Sequence, residues 1–303
     1  MTSAATGTAE LAHASLTALF EQAGVDGFVH VRDIDSGAEF GHRADQRTVL
    51  ASVFKIPIAL EYARQVAAGT LDPAARHTVS AAYRSGGGAA TDGCRYDVEA
   101  ATRDLAFLMM TISDNAATDL LLDIVGLERV RATLDALGHR DFGVASCAAL
   151  DDGIRRELGL DPARSLDEQL AGVAPERLMA LSVNDPGVAP SSTPRDVTAL
   201  LAAIWRDEAG PASACAEVRA LMGQQVWQHR LVSGFPGAVR VAGKTGTDFA
   251  VRNEVGVVEY PDGGRYAVGV FLRTPVPDVR QPRADRVIGE AARAAVTHLR
   301  TQG

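Results

Sequence analysis

The sequence predicts a mixed α/β fold of the α+β kind, a five-stranded antiparallel sheet flanked by terminal helices, with an all-helical domain inserted into it. Three observations predict it. Strand-like runs fall in two groups, near the start of the chain and after residue 238. Between them the chain is rich in Ala and Leu at helical spacing, and an amphipathic helix stands at each end. The expected partition is a sheet domain from 1–50 and 206–303 and a helical domain from 51–205, with the site in the cleft between them.

Residues Glu10 to Ala23 place Leu11, Leu16, Leu19 and Phe20 at near-helical spacing and run into Gly24, a helix stop. Gly27 to Arg32 and Ala38 to His42 read as two strands joined by the turn-like Asp33-Ile34-Asp35-Ser36-Gly37. Helical periodicity follows in Ile56 to Ala68, Val98 to Ile112, Ala116 to Val125 and Pro194 to Trp205. Strand patterns return in Val239 to Ala242, Asn253 to Tyr260 and Tyr266 to Arg273, the last two joined by Pro261-Asp262-Gly263-Gly264. Ala284 to Leu299 closes the chain as a helix with Val287, Ile288, Ala291, Ala295 and Leu299 on one face. Ser80 to Gly93 and Gly153 to Pro190 lack periodicity and read as long loops, often functional or mobile.

The 303 residues are 47% hydrophobic and 22% charged, a globular composition. A net charge of -8 repels phosphate backbones and anionic headgroups, so a small-molecule substrate is expected rather than nucleic acid or membrane. The chain is read as a monomer or weak homo-oligomer. The first twenty residues carry no Lys or Arg and no unbroken apolar stretch, so they do not read as a signal peptide and a cytoplasmic location is expected. Cys94, Cys147 and Cys215 are widely spaced and read as reduced, structural residues. The seven histidines have no H-x-x-x-H spacing, and neither metal nor cofactor is expected. Trp205 and Trp227 read as packing residues, and the charged stretch Asp141 to Arg177 as solvated surface. Gly86-Gly87-Gly88 lacks the Lys-Ser/Thr of a phosphate loop and reads as a flexible loop placed to border the cleft.

Three short motifs carry chemistry. Ser52-Val53-Phe54-Lys55 opens an apolar helix, where residues three apart are neighbours, so hydroxyl and amine can meet. A buried lysine amine there can take the serine proton, and the helix N-terminus favours the negative charge that develops after attack on a carbonyl. Ser113-Asp114-Asn115 lies between two helical segments: a second hydroxyl for proton relay and an amide for a substrate carbonyl. Lys244-Thr245-Gly246-Thr247 follows a β-rich run and offers an ammonium, hydroxyls for a carboxylate, and a glycine that admits close approach. Taken singly, each motif also has an ordinary role as a helix cap or strand end.

Their order and separation, about sixty and then about a hundred and thirty residues, resemble class A β-lactamases and related penicillin-binding proteins over most of the chain. The Ser191-Ser192-Thr193-Pro194 segment opening a late helix is similar too. The resemblance implies a serine hydrolase with Ser52 as nucleophile, Lys55 as acylation base and Ser113 as relay. Asn115 would contact the substrate side chain and Lys244 its carboxylate, with Arg252 in support and Thr245 and Thr247 as further substrate-binding residues. The oxyanion would be held by the N–H groups of Ser52 and Thr247. The departure is the deacylating glutamate, which class A enzymes carry in E-x-x-L-N. Glu176 stands near the expected distance but without the L-N, so it reads either as that base or as an exposed helix carboxylate. Three functions stay open: an acyl-enzyme hydrolase of a carboxylate-bearing lactam, ester or amide; a cytosolic esterase, D,D-peptidase-like enzyme or transacylase of a biosynthetic pathway; and a non-turnover β-lactam-binding sensor.

Overall fold

A computed structural model describes residues 2–84 and 88–302; Gly86 and Gly87 of the glycine run lie outside them. The elements in chain order are α1 (Thr2–Ala23), β1 (Asp26–Asp33), β2 (Glu39–His42), β3 (Thr48–Val49), a 3-10 turn (Ala51–Phe54), α2 (Lys55–Ala67), β4 (Arg76–Val79) and β5 (Val98–Ala101). There follow α3 (Thr102–Thr111), α4 (Asn115–Val125), α5 (Leu127–Ala136), α6 (Cys147–Leu158), α7 (Leu166–Leu170), α8 (Pro175–Met179), β6 (Ser191–Ser192) and α9 (Pro194–Trp205). The chain ends with α10 (Ala212–Met222), β7 (Arg240–Asp248), β8 (Val251–Glu259), β9 (Arg265–Arg273) and α11 (Pro282–Arg300).

The five-stranded sheet has the order β2-β1-β9-β8-β7, antiparallel throughout, as predicted. Side chains alternate across a strand, so each face of β9 finds its own core. Val268, Val270 and Leu272 pack with Leu16 and Phe20 of α1 and with Val287, Ile288, Ala291 and Ala295 of α11. Ala267 and Phe271 point the other way, into a core shared with α2, α9 and α10. Covered on both faces, β8 and β9 are buried almost throughout, and β9 reads as a nearly continuous apolar run. Every buried Val, Leu or Ile contributes about 1.5–3 kcal/mol, so these two cores hold the sheet rigid. Strand β7 is an edge, and its outer side faces the helical part of the molecule through the 3-10 turn.

Several expectations change. Val98 to Ala101 is not the start of a helix but a strand paired with β4, and the helix begins at Thr102. The predicted strand Val239 to Ala242 runs on through Lys-Thr-Gly to Asp248, carrying that motif along the sheet edge. The aperiodic stretch Gly153 to Pro190 contains the end of α6 together with α7 and α8, helices too short to show a period. Helix α10 was not anticipated within 206–303, and it packs on α2, α3 and α9 rather than on the outer helices of the sheet. Cys94 is exposed while Cys147 and Cys215 are buried, all three free. Among the described residues no helix is long and apolar enough to cross a membrane.

Candidate active site

The site is built where the 3-10 turn meets the edge of the sheet. In a 3-10 turn residues i and i+3 eclipse, so Ser52 and Lys55 share a side even more directly than in an α-helix. Ala51, just before the serine, has φ 44°, a left-handed conformation costing an alanine about 1 kcal/mol. Two contacts hold the turn in place. Asn253 of β8 donates to Val49 O at 2.9 Å and Leu50 O at 3.1 Å. Gly246 lies so close that a Cβ there would sit 2.5 Å from Leu50 O.

The three motifs converge on one hydroxyl. Lys55 Nζ donates to Ser113 O at 2.7 Å, to Asn115 Oδ1 at 2.7 Å and to Ser113 Oγ at 3.3 Å. Lys244 Nζ reaches the same Ser113 Oγ at 3.0 Å and Thr245 O at 2.9 Å. Both lysines are fully buried. Burial holds the Lys55 amine below the usual lysine range, and burial together with the charge of Lys55 holds Lys244 well below it. Two amines that burial makes easier to deprotonate than a solvated lysine thus flank one serine hydroxyl. Ser113 itself has φ 66°. Asp114 fixes it from the next position, capping α4 through Ala117 N at 3.1 Å and accepting from Thr91 N at 2.8 Å and Thr91 Oγ1 at 2.6 Å.

Ser52, Asn115 and Thr247 form the wall where two cavities meet. The larger, about 1080 Å³, is lined also by Ser113, Thr245, Trp227, Arg230 and Arg252. Arg230 and Arg252 are buried and share Asp285 Oδ1 at 2.7 and 3.0 Å, which leaves the pair with one uncompensated positive charge. Arg230 also donates to Thr247 Oγ1 at 2.9 Å. Behind them Glu254 accepts from Gln225 Nε2 and Leu231 N, both at 2.6 Å, and burial pushes its carboxyl up to about 7. Gln225 Oε1 in turn accepts from Thr245 N at 2.7 Å, tying the segment before β7 to the Lys-Thr-Gly strand.

The smaller cavity, about 230 Å³, has a mixed lining, with Phe54, Leu150 and Ile154 beside Asp151, Asp167 and Asp248. Glu176 is not part of either wall. It sits exposed at the start of α8, the second of the two readings its sequence context allowed. The stretch Asp141 to Arg177 is not all solvated surface, since Asp151, Ile154 and Leu166 line the cleft from it. Trp227 is 39% exposed and lines the larger cavity, whereas Trp205 is buried as a packing residue and donates to Glu259 Oε1 at 3.2 Å. Sequence reading missed Arg230, Asn253, Glu254, Asp285 and Asp151; none stands in a short motif, and only the fold brings them in. Among the described residues no cluster of three or more His, Cys, Asp or Glu could hold a metal ion.

Comparison with known proteins agrees with the motif order. A family model described as "Beta-lactamase enzyme family" matches residues 12–299. A "Beta-lactamase regulatory protein BlaB" of Streptomyces cacaoi is 29% identical, covering 92% of this chain and 94% of its own. Among solved structures, a β-lactamase from Sphaerobacter thermophilus is 26% identical with a TM-score of 0.74, covering 95% of this chain and 96% of its own. An ancestral class A β-lactamase of Gram-negative bacteria, at 22% identity and covering 94% and 99%, has a TM-score of 0.76 and bears on the fold alone.

Proposed function

We propose that this chain, which belongs to the beta-lactamase enzyme family, is a serine hydrolase acylated at Ser52 by a carboxylate-bearing lactam, ester or amide and released by water. The observation that carries the reading is the meeting of Lys55 and Lys244, from motifs far apart in sequence, on the one hydroxyl of Ser113. A neutral Lys55 amine takes the Ser52 proton as Oγ bonds to the substrate carbonyl carbon. The oxyanion is held by the N–H groups of Ser52 and Thr247, and Ser113 passes a proton to the leaving group. Thr245 and Thr247, with Arg230 and Arg252 behind them, receive the carboxylate, and Lys244 holds the Ser113 hydroxyl through its own hydrogen bond. Ser52, placed where two cavities meet, suits a substrate with an acyl half in the smaller cavity and an anionic half in the larger one.

A second reading, a regulator that is acylated once and held, is supported by the likeness to the Streptomyces cacaoi regulatory protein. Intact-protein mass spectrometry after mixing with penicillin G separates the two. A Ser52-dependent adduct that forms and decays with product release supports the hydrolase, and Ser52→Ala is expected to give none. An adduct that persists favours the regulator. No adduct with penicillin G, and none with simple esters, would sink both.

A further inference from the structure

The acyl-enzyme reading needs a group that activates water for deacylation, and Glu176 is exposed away from the cleft. Three carboxylates line the smaller cavity beside Ser52: Asp151, Asp167 and Asp248. Asp167 is exposed on the five-residue helix α7. Asp248 has one oxygen, Oδ1, engaged by its neighbour Phe249 N at 2.9 Å. Asp151 is partly buried, and among the described residues no cation lies within ion-pair distance of it, so its oxygens are left to meet water. Its position is fixed from the catalytic side. Asp119 of α4, one turn beyond Asn115, accepts from Cys147 N and Ala148 N at 2.7 Å each and so clamps the first turn of α6. Leu150, Asp151 and Ile154 then form one stripe of that helix facing the cavity.

From this geometry we propose that Asp151 is the base that deacylates Ser52, a role that rests on the acyl-enzyme reading above. The Asp151 carboxylate takes one proton from a water in the smaller cavity as the water oxygen bonds to the acyl carbonyl carbon. The carbonyl electron pair moves onto the oxygen held by Ser52 N and Thr247 N. Collapse of that intermediate breaks the bond to Ser52 Oγ, the proton passes from Asp151 to Oγ, and the free acid leaves. The surroundings suit the task. The groups facing Asp151 are Arg155 one turn along α6, Asp119 on α4, Asp248 on β7, and Asp92. Burial first, then the neighbouring carboxylates, outweigh Arg155 and push its carboxyl up to about 7. A base so tuned is half ionised at neutral pH and is a far stronger proton acceptor than an exposed aspartate.

The test follows the lifetime of the Ser52 adduct by intact mass from pH 5 to 9, for wild type, Asp151→Asn, Asp151→Glu and Glu176→Gln. Penicillin G and p-nitrophenyl acetate serve as acylating probes. Asp151→Asn is expected to acylate as fast as wild type but to hold its adduct roughly 10²- to 10⁴-fold longer. Wild-type decay is expected to rise with pH and level off above about 7, because only the ionised carboxylate accepts a proton. Asp151→Glu should keep that pH limb, Asp151→Asn should lose it, and Glu176→Gln should match wild type. A thermal melt of Asp151→Asn no lower than that of wild type excludes misfolding, since the change only removes an unpaired carboxylate. Equal adduct lifetimes in wild type and Asp151→Asn overturn the assignment, whether both are short or both persist. No Ser52 adduct from either probe overturns the hydrolase reading and, with it, the role of Asp151.

Discussion

Asp285 is the acid whose removal should separate stability from substrate attraction most cleanly. Its Oδ1 accepts from Arg230 Nε at 2.7 Å and Arg252 Nη1 at 3.0 Å, and the side chains are 14%, 5% and 3% exposed. It also sits in the first turn of α11, where a negative charge is worth about 0.3–1 kcal/mol against the helix dipole. Removing one partner from a buried ion pair costs about 3–5 kcal/mol, because the remaining charge stays desolvated. Here both guanidiniums keep carbonyl acceptors, Gly246 and Asn253 for Arg230 and Asp278 for Arg252. Both also line a cavity open to water, so the lower end applies, about 3 kcal/mol for Asp285→Ala. For a chain of this size that lowers Tm by roughly 5 °C. Asp285→Asn keeps an acceptor oxygen and should lose about half as much. The effect on binding has the opposite sign, since the cleft gains one unit of positive charge. KM for a carboxylate substrate should fall roughly fivefold, about 1 kcal/mol after screening, and the gain should shrink in 0.5 M salt. Differential scanning calorimetry and initial rates at two salt concentrations measure both. A Tm for Asp285→Ala within about 2 °C of wild type would refute the claim that this carboxylate offsets one of two buried positive charges.

Lys55→Met should lower the acylation rate by roughly 10²–10⁴, read from the burst with a chromogenic ester. In wild type that rate should rise with pH and reach its plateau below the pH at which a solvated lysine would titrate, because burial lowers the Lys55 pKa and only the neutral amine accepts a proton. A rate flat across pH 5–10 would remove Lys55 as the base. Gly246→Ala should slow acylation roughly a hundredfold, because its Cβ would press on Leu50 O and displace the turn that carries Ser52. An unchanged rate would mean that β7 and the turn have slack that the packing denies.

The sheet was legible because its signal is local: β1, β8 and β9 carry β-branched residues at their cores, and turn residues mark the ends of β1, β2, β8 and β9. The three motifs were legible for a related reason, since each needs only its own short element to set the spacing of its side chains. What sequence could not supply is which elements touch. Val98 to Ala101 pairs with Arg76 to Val79 and becomes a strand, although its own composition continues the apolar run of the helix after it. Asn253 is an unremarkable polar residue in a strand until the fold sets it against Val49 and Leu50, more than two hundred residues away in sequence.

The two acids proposed for deacylation turn on the same point. Glu176 was placed by counting back from Thr193-Pro194 and Lys244, which assumes that the intervening chain takes a familiar path. The Asp119 carboxylate grips the amides of Cys147 and Ala148, and α6 presents Leu150, Asp151 and Ile154 to the smaller cavity. Asp119 is itself buried, and burial raises its carboxyl pKa while the two amide donors hold it down. Its grip therefore depends on the two amide donors that favour the ionised, accepting form against burial. A change at Asp119 that frees α6 should lengthen the adduct lifetime as Asp151→Asn does, because the proton acceptor remains in the chain but no longer faces Ser52.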